Sequence, residues 1–221
     1  MKIFSIGATG YLGGGAARAL VAAGHEVLAS ARTDDAAARL NALGYTAVRC
    51  DVSDPRTLIE PVRASEGVIY AVQLNGPDAA EIDAAALEAL VDALAGTSKA
   101  LLYTSGVWYY GPTGDRVADE TTPANPPPAT VARPRLEKIV LDGAARGVRA
   151  VVIRPGDVFG EASGLPSMFV QSARESGAAR TIGDGSNRWP VIHVDDLARL
   201  YVQALEKAEA GDVFNATDDT A

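Results

Sequence analysis

The chain has 221 residues, of which 48% are hydrophobic, and its 20 Lys and Arg against 28 Asp and Glu give a formal net charge of −8. A chain of this length and composition can bury one good core, with a small subdomain on top of it. The acidic balance argues against binding to nucleic acid or to an anionic membrane surface.

The single cysteine, Cys50, excludes an internal disulfide and is typical of a reducing compartment. No apolar run approaches the length that spans a bilayer, and Met1 and Lys2 run directly into the first predicted strand without space for a signal peptide. We therefore expect a cytoplasmic protein, and we predict no metal site.

The most informative segment is 7–13, which reads Gly-Ala-Thr-Gly-Tyr-Leu-Gly. It follows an apolar strand and opens an alanine-rich helix, which is the context of a dinucleotide-binding turn. Gly7 permits the tight turn, Gly10 lets the backbone approach a pyrophosphate, and Gly13 lets the helix pack closely. The helix N-terminus is then left to face the phosphates.

Short apolar runs alternate with helical patterns along the whole chain. Strands are predicted over 2–6, 26–29, 46–50, 67–72, 100–104, 149–153 and 212–215. Helices are predicted over 14–23, 36–43, 56–63, 78–94, 134–145 and 197–207. Because the strands are mostly apolar throughout, both faces of the sheet are expected to be covered. The fold class predicted is α/β, a Rossmann-type doubly wound parallel sheet.

Two long irregular segments interrupt this alternation. Segment 112–128 is rich in proline and must be a loop, and segment 156–188 is rich in glycine with a short helix predicted around 167–175. Ligands of such sheets bind beyond the carboxyl ends of the strands, and both segments follow strand ends. We interpret them as substrate-side loops.

Four blocks in this order resemble the extended or atypical branch of the short-chain dehydrogenase/reductase superfamily, the NAD(P)-dependent epimerase/dehydratase-like family. The blocks are 7–13, 103–111, 154–160 and 183–196. The resemblance implies an NAD(P)-binding Rossmann core over 1–155, a small substrate-side subdomain of loops and a short helix over 156–195, and a returning helix with the last strand over 196–221. Members of this family usually continue further, so we expect either a truncated chain or a reduced lid.

The end of the second strand bears on the choice of cofactor. Proteins that select NAD place an acidic side chain there, which accepts from the ribose 2′-hydroxyl. Here no acid precedes Asp34, whereas Arg32 would attract a 2′-phosphate, and Ser30 or Thr33 could hydrogen-bond to it. The sequence favours NADP over NAD. The alternative is that Arg32 is a solvated loop charge.

The resemblance also implies the remaining cofactor contacts. These are expected from Thr9, Tyr11 and Leu12 in the glycine turn, from Asp51 and Val52 at the adenine, from Ala71, Val72 and Gln73 under the ribose, and from Pro155, Gly156, Asp157 and Val158 beside the nicotinamide. A second interpretation of Asp51 is a helix cap together with Asp54.

The catalytic residues depart from the family pattern. Carbonyl-reducing members use a Tyr, a Lys four residues later, and a Ser or Thr after the fifth strand, and the Lys lowers the pKa of the Tyr. Ala129 and Arg133 stand at the Tyr and Lys positions, and no tyrosine occurs between Tyr110 and Tyr201. Arg133 could still hold the cofactor ribose, but a guanidinium cannot easily carry a proton.

The catalytic hydroxyl falls on Gly106 when counted from the Tyr110-Gly111 pair and on Ser105 when counted from the strand, with Thr104 just before it. Thr104 is also expected to contact the cofactor. Tyr109 or Tyr110 could substitute for the missing tyrosine, although packing of the loop against the core is the favoured interpretation of both.

Trp189 stands where members that bind sugar nucleotides often carry an arginine for the diphosphate, which favours an apolar or aromatic ligand. His193 could transfer protons, but the favoured interpretation is that it ends a strand while Asp195 caps the next helix.

The sequence therefore predicts an NADP(H)-binding oxidoreductase that acts on a small carbonyl, hydroxyl or sugar-like substrate with a nonstandard catalytic set of Ser105, Thr104 and Arg133. The alternative is a catalytically silent dinucleotide-binding sensor or regulatory protein. The alanine-rich helices 78–94 and 134–145 are candidates for a homodimer interface.

Overall fold

The computed structural model describes residues 1–178, 181 and 183–218. The strands are β1 (Lys2–Ile6), β2 (Glu26–Ala31), β3 (Thr46–Arg49), β4 (Gly67–Tyr70), β5 (Ala100–Thr104), β6 (Arg149–Pro155), β7 (Asp157–Phe159), β8 (Val191–His193) and β9 (Val213–Ala216). The helices are α1 (Tyr11–Ala22), α2 (Asp34–Ala42), α3 (Ile59–Arg63), α4 (Ala79–Leu94), α5 (Arg133–Asp142), α6 (Leu165–Ser176) and α7 (Val194–Lys207). Short 3₁₀ turns cover Pro55–Leu58, Val107–Tyr109, Pro128–Thr130 and Gly143–Arg146.

Seven strands form one parallel sheet in the order β3-β2-β1-β4-β5-β6-β9, and β7 pairs with β8 in a small second parallel sheet. The order 3-2-1-4-5-6 is that of a doubly wound dinucleotide-binding sheet. The predicted fold class is confirmed. The segment 156–195, for which a substrate-side subdomain is predicted, contains β7, β8 and α6.

The sheet is buried on both faces. Every residue of β4 and β5 is buried, because α1, α2 and α7 cover one face and α3, α4 and α5 cover the other. The prediction from their continuous apolar sequences is confirmed. Helices α1 and α7 approach closely because Gly15 has no side chain: a Cβ there would lie 3.1 Å from a methyl of Val194.

Several predicted boundaries differ from those in the structure. The fourth strand ends at Tyr70 rather than at residue 72, and α1 begins at Tyr11, inside the segment 7–13, rather than at residue 14. The helix predicted over 56–63 is divided into a 3₁₀ turn and α3. The strands β7 and β8 were not predicted as a sheet, because three residues are too few to show a periodicity. Of the predicted segments, residues 179–180, 182 and 219–221 lie outside the described residues.

A buried ion pair joins α5 to β6. The Arg154 guanidinium donates to both carboxylate oxygens of Glu137, with the shortest distance 2.6 Å, and both side chains are less than 5% exposed. Burial lowers the pKa of Arg154, but Glu137 and Tyr110 more than offset this, so the pKa is raised. Arg154 therefore keeps its charge inside the protein.

No helix in the described part of the chain combines the length and the apolar character that crossing a bilayer requires.

We expect Glu137→Ala to destabilise the protein severely, because it leaves the Arg154 charge buried without a partner. Breaking a buried pair costs about 3–5 kcal/mol, which corresponds to a fall in Tm of roughly 6–20 °C for a domain of this size. Thermal unfolding measures this fall. Asp142→Ala is the control on the same helix. Asp142 pairs with Lys138, both side chains are exposed, and an exposed ion pair contributes at most about 1 kcal/mol to stability. Equal melting of the two variants would contradict the prediction.

Candidate active site

The turn between β1 and α1 depends on two glycines that touch backbone. Gly7 has φ +103°, and a Cβ there would lie 2.3 Å from the carbonyl oxygen of Ala71. A Cβ at Gly13 would lie 2.2 Å from the carbonyl oxygen of Gly7. Any side chain at either position would collide with backbone, so the first turn of α1 is held directly above the ends of β1 and β4.

The N-terminus of α1 is open to a ligand. Its N-cap residue is Gly10, which offers no side chain, and the first turn contains no acidic residue. Thr9 and Gly10 are exposed. The first amides of a helix attract anions, because they lack partners within the helix and carry the positive end of its dipole. This cradle fits the pyrophosphate of a dinucleotide.

Tyr11 ties the glycine turn to the substrate-side loop. Its hydroxyl donates to the carbonyl oxygen of Gly160 at 2.8 Å, and Arg18 of α1 pairs with Glu161 at 2.5 Å. Leu12, the next residue, lines the main cleft. The two contacts thus fix the loop after β7 against the expected cofactor turn.

The end of β2 lies beside this turn. The Ser30 hydroxyl accepts from the amide of Gly7 at 3.4 Å, and the Thr33 hydroxyl caps α2 by accepting from Ala36 at 3.1 Å. The Arg32 side chain is exposed, and its charge contributes to lowering the pKa of Asp51. Arg32 and Asp51 therefore lie near each other, at the end of the sheet where the adenosine half is expected.

Asp51 organises a local turn. Its carboxylate accepts from the Ser53 hydroxyl at 2.7 Å and from the Ser53 amide at 3.0 Å, and these bonds are the main cause of its lowered pKa. Asp54 pairs with Arg56 and makes no side-chain cap to the following 3₁₀ turn. Asp51 is thus the capping group of a turn rather than of a helix, while Val52 is buried beside it.

A cleft of about 820 Å³ opens beyond the carboxyl ends of β4, β5 and β6. Among the predicted site residues, those that line it are Leu12, Gln73, Ser105, Arg133, Pro155 and Asp157. Its other walls come from the 3₁₀ turn after β5 and from α6. The structure therefore brings Ser105 and Arg133 together with Pro155 and Asp157 in one depression, whereas Thr104, Gly156 and Val158 are not among the residues that line it. Ala71 and Val72 lie beside Gly7, under the glycine turn.

Arg133, at the start of α5, lies over Gly106. A Cβ on Gly106 would be 3.3 Å from the nearest guanidinium nitrogen. Asp83 of α4 is close enough for the Arg133 charge to lower its pKa, which burial raises overall, and its carboxylate accepts from the Tyr70 hydroxyl at 2.5 Å. Ala129, at the position of the missing tyrosine, also lines the cleft, so that position is open space.

The two candidate hydroxyls have different surroundings. Thr104 bonds to the Tyr201 hydroxyl of α7 at 2.5 Å, inside the core. The Ser105 hydroxyl is buried and has no hydrogen-bond partner among the described residues. Ser105 directly follows β5 and lines the cleft, whereas Thr104 does not, so Ser105 is the hydroxyl that remains for a ligand there.

Tyr109 and Tyr110 hold the loop after β5 in place. The Tyr110 hydroxyl accepts from Arg154 at 2.5 Å and donates to Asn215 at 2.7 Å, and the Arg154 guanidinium stacks 3.8 Å from the centre of the Tyr109 ring. These contacts fit the packing interpretation of both tyrosines.

An aromatic cluster borders the cleft. Trp189 packs edge-on against Trp108, with ring centres 6.1 Å apart, and against Phe169 of α6 at 5.9 Å. Trp108 and the neighbouring Met168 line the cleft itself. This side of the site therefore offers apolar and aromatic surface.

His193 is a structural cap. Its Nδ1 accepts from the amide of Asp195 at 3.2 Å, which makes His193 the N-cap of α7. The expectation that Asp195 caps this helix is therefore wrong, although His193 does end a strand as predicted. Its ring packs edge-on against Phe159.

Asp157 is a candidate functional residue for which the sequence predicts only a place beside the nicotinamide. Its Oδ2 is buried without a partner among the described residues, and the residue lines the cleft. Gly156 allows this position, because a Cβ there would lie 2.6 Å from the carbonyl oxygen of Pro190, and Val158 packs into the core. The sequence signal that could have identified Asp157 is its place directly after Arg154-Pro155-Gly156, where a strand ends.

The described residues contain no group of three or more His, Cys, Asp or Glu side chains that could hold a metal ion.

Comparison with known protein families identifies the family of this chain. The family model of the NAD dependent epimerase/dehydratase family matches residues 3–217. The chain belongs to this family. An uncharacterised protein of Schizosaccharomyces pombe is 34% identical over 98% of the chain and 74% of its own length.

Two curated relatives carry functional names. One is the 4-hydroxy-2-methyl-3-oxo-4-farnesyl-3,4-dihydroquinoline-1-oxide ketoreductase of Stigmatella aurantiaca, 26% identical over 99% of the chain and 68% of that protein. The other is the 2-alkyl-3-oxoalkanoate reductase of Stenotrophomonas maltophilia, 27% identical over 96% of the chain and 67% of that protein.

Among solved structures, dTDP-glucose 4,6-dehydratase from Bacillus anthracis in complex with NAD superposes with a TM-score of 0.85. It is 18% identical, and the match covers 100% of this chain and 76% of that one. This likeness supports the Rossmann fold. The family and its reductase relatives place the chain among oxidoreductases and epimerases of the short-chain dehydrogenase/reductase type.

We expect Gly13→Ala to abolish dinucleotide binding, because its Cβ would collide with the backbone of Gly7 and displace the first turn of α1. Titration with NADPH and NADH by nicotinamide fluorescence measures the loss. Gly24→Ala is the control: Gly24 has a φ of +83°, but no atom lies within 4 Å of its Cβ position. That variant should lose only about 1 kcal/mol of stability and bind normally. Unchanged binding by Gly13→Ala would show that the turn does not hold the cofactor.

Proposed function

We propose that the protein is an NADPH-dependent reductase of small ketones that carry apolar or aromatic groups. Membership of the family and the two reductase relatives support hydride chemistry. The glycine cradle, the open start of α1 and the cleft beyond the strand ends fit a dinucleotide and a small second ligand side by side.

One observation carries the proposal. Two of the buried polar side-chain atoms without a partner in the described chain, Ser105 Oγ and Asp157 Oδ2, belong to residues that line the same cleft. Leaving such an atom unpaired costs about 1–3 kcal/mol. A ligand oxygen placed in the cleft would relieve this cost, as the oxygen of a ketone or an alcohol can do.

When bound, the dinucleotide supplies the hydride. The chain supplies position and charge. The Ser105 hydroxyl donates to the carbonyl oxygen and polarises it, and Arg133 contributes a fixed positive charge and several donors on the same side of the cleft. Arg133 lies over Gly106 and next to Asp83, so its guanidinium is oriented before a ligand enters.

The walls of the cleft support the choice of substrate. Trp108, Trp189 and Phe169 form one aromatic cluster, and Met168 extends the apolar surface. Such surface binds alkyl or aryl groups by burial of apolar area and suits a sugar diphosphate poorly.

Arg32 supports NADPH over NADH. It is exposed at the end of β2, and none of the ion pairs among the described residues involves it. The nearest acid along the chain, Asp34, points into solvent and pairs with Arg49 at 3.3 Å. A 2′-phosphate would find a free guanidinium there.

The second candidate is a silent dinucleotide-binding sensor. Ala129 and Arg133 at the positions of the family's Tyr and Lys favour it, whereas the reductase relatives favour the enzyme. Loss of NADPH absorbance with ketones decides between them. Steady turnover with an aliphatic, aryl or β-keto compound supports the reductase, and tight NADPH binding without turnover across such a panel supports the sensor.

We expect Ser105→Ala to lower kcat/KM for ketone reduction about 10²-fold, the usual effect of removing one donor from a developing oxyanion. Steady-state kinetics with saturating NADPH measures it. Ser5→Ala is the matched control, because the Ser5 hydroxyl is equally buried and unpartnered but lies in β1 outside the cleft. Equal kinetics of the two variants would remove Ser105 from the reaction.

We expect Arg32→Ala to weaken NADPH binding about 10–100-fold and to leave NADH binding unchanged, because charge-assisted hydrogen bonds contribute about 1.5–3 kcal/mol. Fluorescence titration of both cofactors gives the two constants. The control is Arg39→Ala, which removes the same charge from an exposed position in the helix α2 that follows Arg32. A parallel loss of NADH affinity would refute the assignment of Arg32 to the 2′-phosphate.

A further inference from the structure

The proposed reduction lacks a proton donor. The family's tyrosine position holds Ala129, Tyr110 is bound to Arg154 and Asn215, and Thr104 is bound to Tyr201. His193 caps α7 with its Nδ1. A guanidinium such as that of Arg133 does not give up its proton in proteins. The proton must come from another group in the cleft.

We propose that Asp157 gives the carbonyl oxygen its proton, in place of the tyrosine that is absent at Ala129. This inference rests on the proposed function and names one further catalytic residue for it. Asp157 is the first residue of β7, directly after the end of β6, and it lines the cleft together with Ser105. Its Oδ2 has no partner in the described part of the chain.

The surroundings of the carboxyl favour its protonated form. Burial raises the pKa of Asp157, and a hydrogen bond from the Trp108 side chain lowers it by a smaller amount. Burial that raises a carboxyl pKa favours the protonated form, which is the form that can donate a proton. Trp108 therefore forms both the apolar wall of the cleft and part of the setting of the acid.

Several other charged groups lie around β7 or line the same cleft. On β6, Arg154 is paired with Glu137. On β8, His193 lies opposite Phe159 rather than Asp157. The backbone amide of Asp218, after β9, donates to the carbonyl oxygen of Val191, which lies opposite Asp157. Arg133 of α5 and Glu175 of α6 line the same cleft. Neither of these two charges contributes to the pKa shift of Asp157.

The step balances. The carbonyl carbon gains a hydride, with its electron pair, from the reduced nicotinamide, which is oxidised. The π bond of the carbonyl breaks, and its oxygen forms an O–H bond with the proton of the Asp157 carboxyl. The remaining carboxylate takes a proton from water before the next turnover.

The first test is independent of turnover. In the protein without cofactor, ¹³C-labelled aspartate gives one carboxyl resonance per residue, and the resonance missing from Asp157→Asn is that of Asp157. We expect it to titrate above the ordinary value of about 3.9. The Asp119 carboxylate is the internal reference, because hydrogen bonds from Thr121 and Thr122 lower its pKa. Titration of Asp157 at or below the ordinary value would overturn the inference.

Stability gives the same information with a definite sign. Because folding raises the pKa of Asp157, its stabilising contribution is present below the unfolded value and is lost as pH rises through the folded value. We expect Asp157→Asn to melt at a higher temperature than the wild type at pH 7.5 and at nearly the same temperature at pH 4. A lower Tm for the variant at pH 7.5 would count against a protonated Asp157.

The second test uses the enzyme with NADPH. We expect Asp157→Asn to lower kcat about 10²–10⁴-fold, the range for general acid catalysis, with the Kd of NADPH unchanged. The wild-type kcat should fall as pH rises through the pKa of Asp157, and the variant should lose this dependence. The control Asp92→Asn removes an exposed carboxylate of α4 and should keep the full rate.

The outcomes separate the two proposals. If Asp157→Asn reduces ketones at the wild-type rate, or if it loses NADPH affinity while kcat is kept, the inference is overturned and the reductase stands. If the wild type binds NADPH but reduces no ketone, the proposed function fails and the inference falls with it, whatever the titration of Asp157 shows.

Discussion

The buried ion pair of Arg154 and Glu137 is the interaction on which the shape of the cleft depends. Burying two charges costs several kcal/mol for each ion unless well-aligned hydrogen bonds offset this cost. Here the Arg154 guanidinium donates to both carboxylate oxygens of Glu137 and to the Tyr110 hydroxyl. Through Tyr110 the network reaches Asn215 of β9. Helix α5 begins with Arg133, so the pair that fixes α5 against β6 also fixes the backbone that carries Arg133. An interaction that lies outside the cleft thus sets the position of its main positive charge.

The departures at residues 106, 129 and 133 are one structural change. A guanidinium is larger than an ammonium group, and it lies 3.3 Å from the Cβ position of Gly106, so a serine at that position would crowd it. Ala129 removes a phenol from the same cleft and leaves a wall of apolar surface around Trp108. The result is a site that is richer in apolar surface and poorer in acid–base groups than the family pattern implies. A reaction there needs its proton from a residue outside that pattern.

Local patterns predicted the sheet well. Strands β4 and β5 are buried over their full length, and their apolar sequences show this directly. The glycine turn could also be predicted from the sequence, because only glycine fits where Gly7 and Gly13 contact backbone. Contacts between segments that are distant in the sequence could not be predicted. The strands β7 and β8 pair across more than 30 residues, and the bond from Tyr11 to Gly160 spans 149 positions, so nothing near either residue in the sequence announces them.

The contrast between Arg154 and Asp157 separates structural from functional burial within one short segment. Arg154 is almost wholly buried, and its bonds to Glu137 and Tyr110 are all made inside the protein. Three residues later, one carboxyl oxygen of Asp157 is buried with no partner in the described chain, as is the hydroxyl of Ser105 across the same cleft. Folding satisfies buried polar groups almost everywhere, because each failure costs about 1–3 kcal/mol. Two such failures at the wall of one cleft are the expected mark of a site whose partners arrive with a ligand.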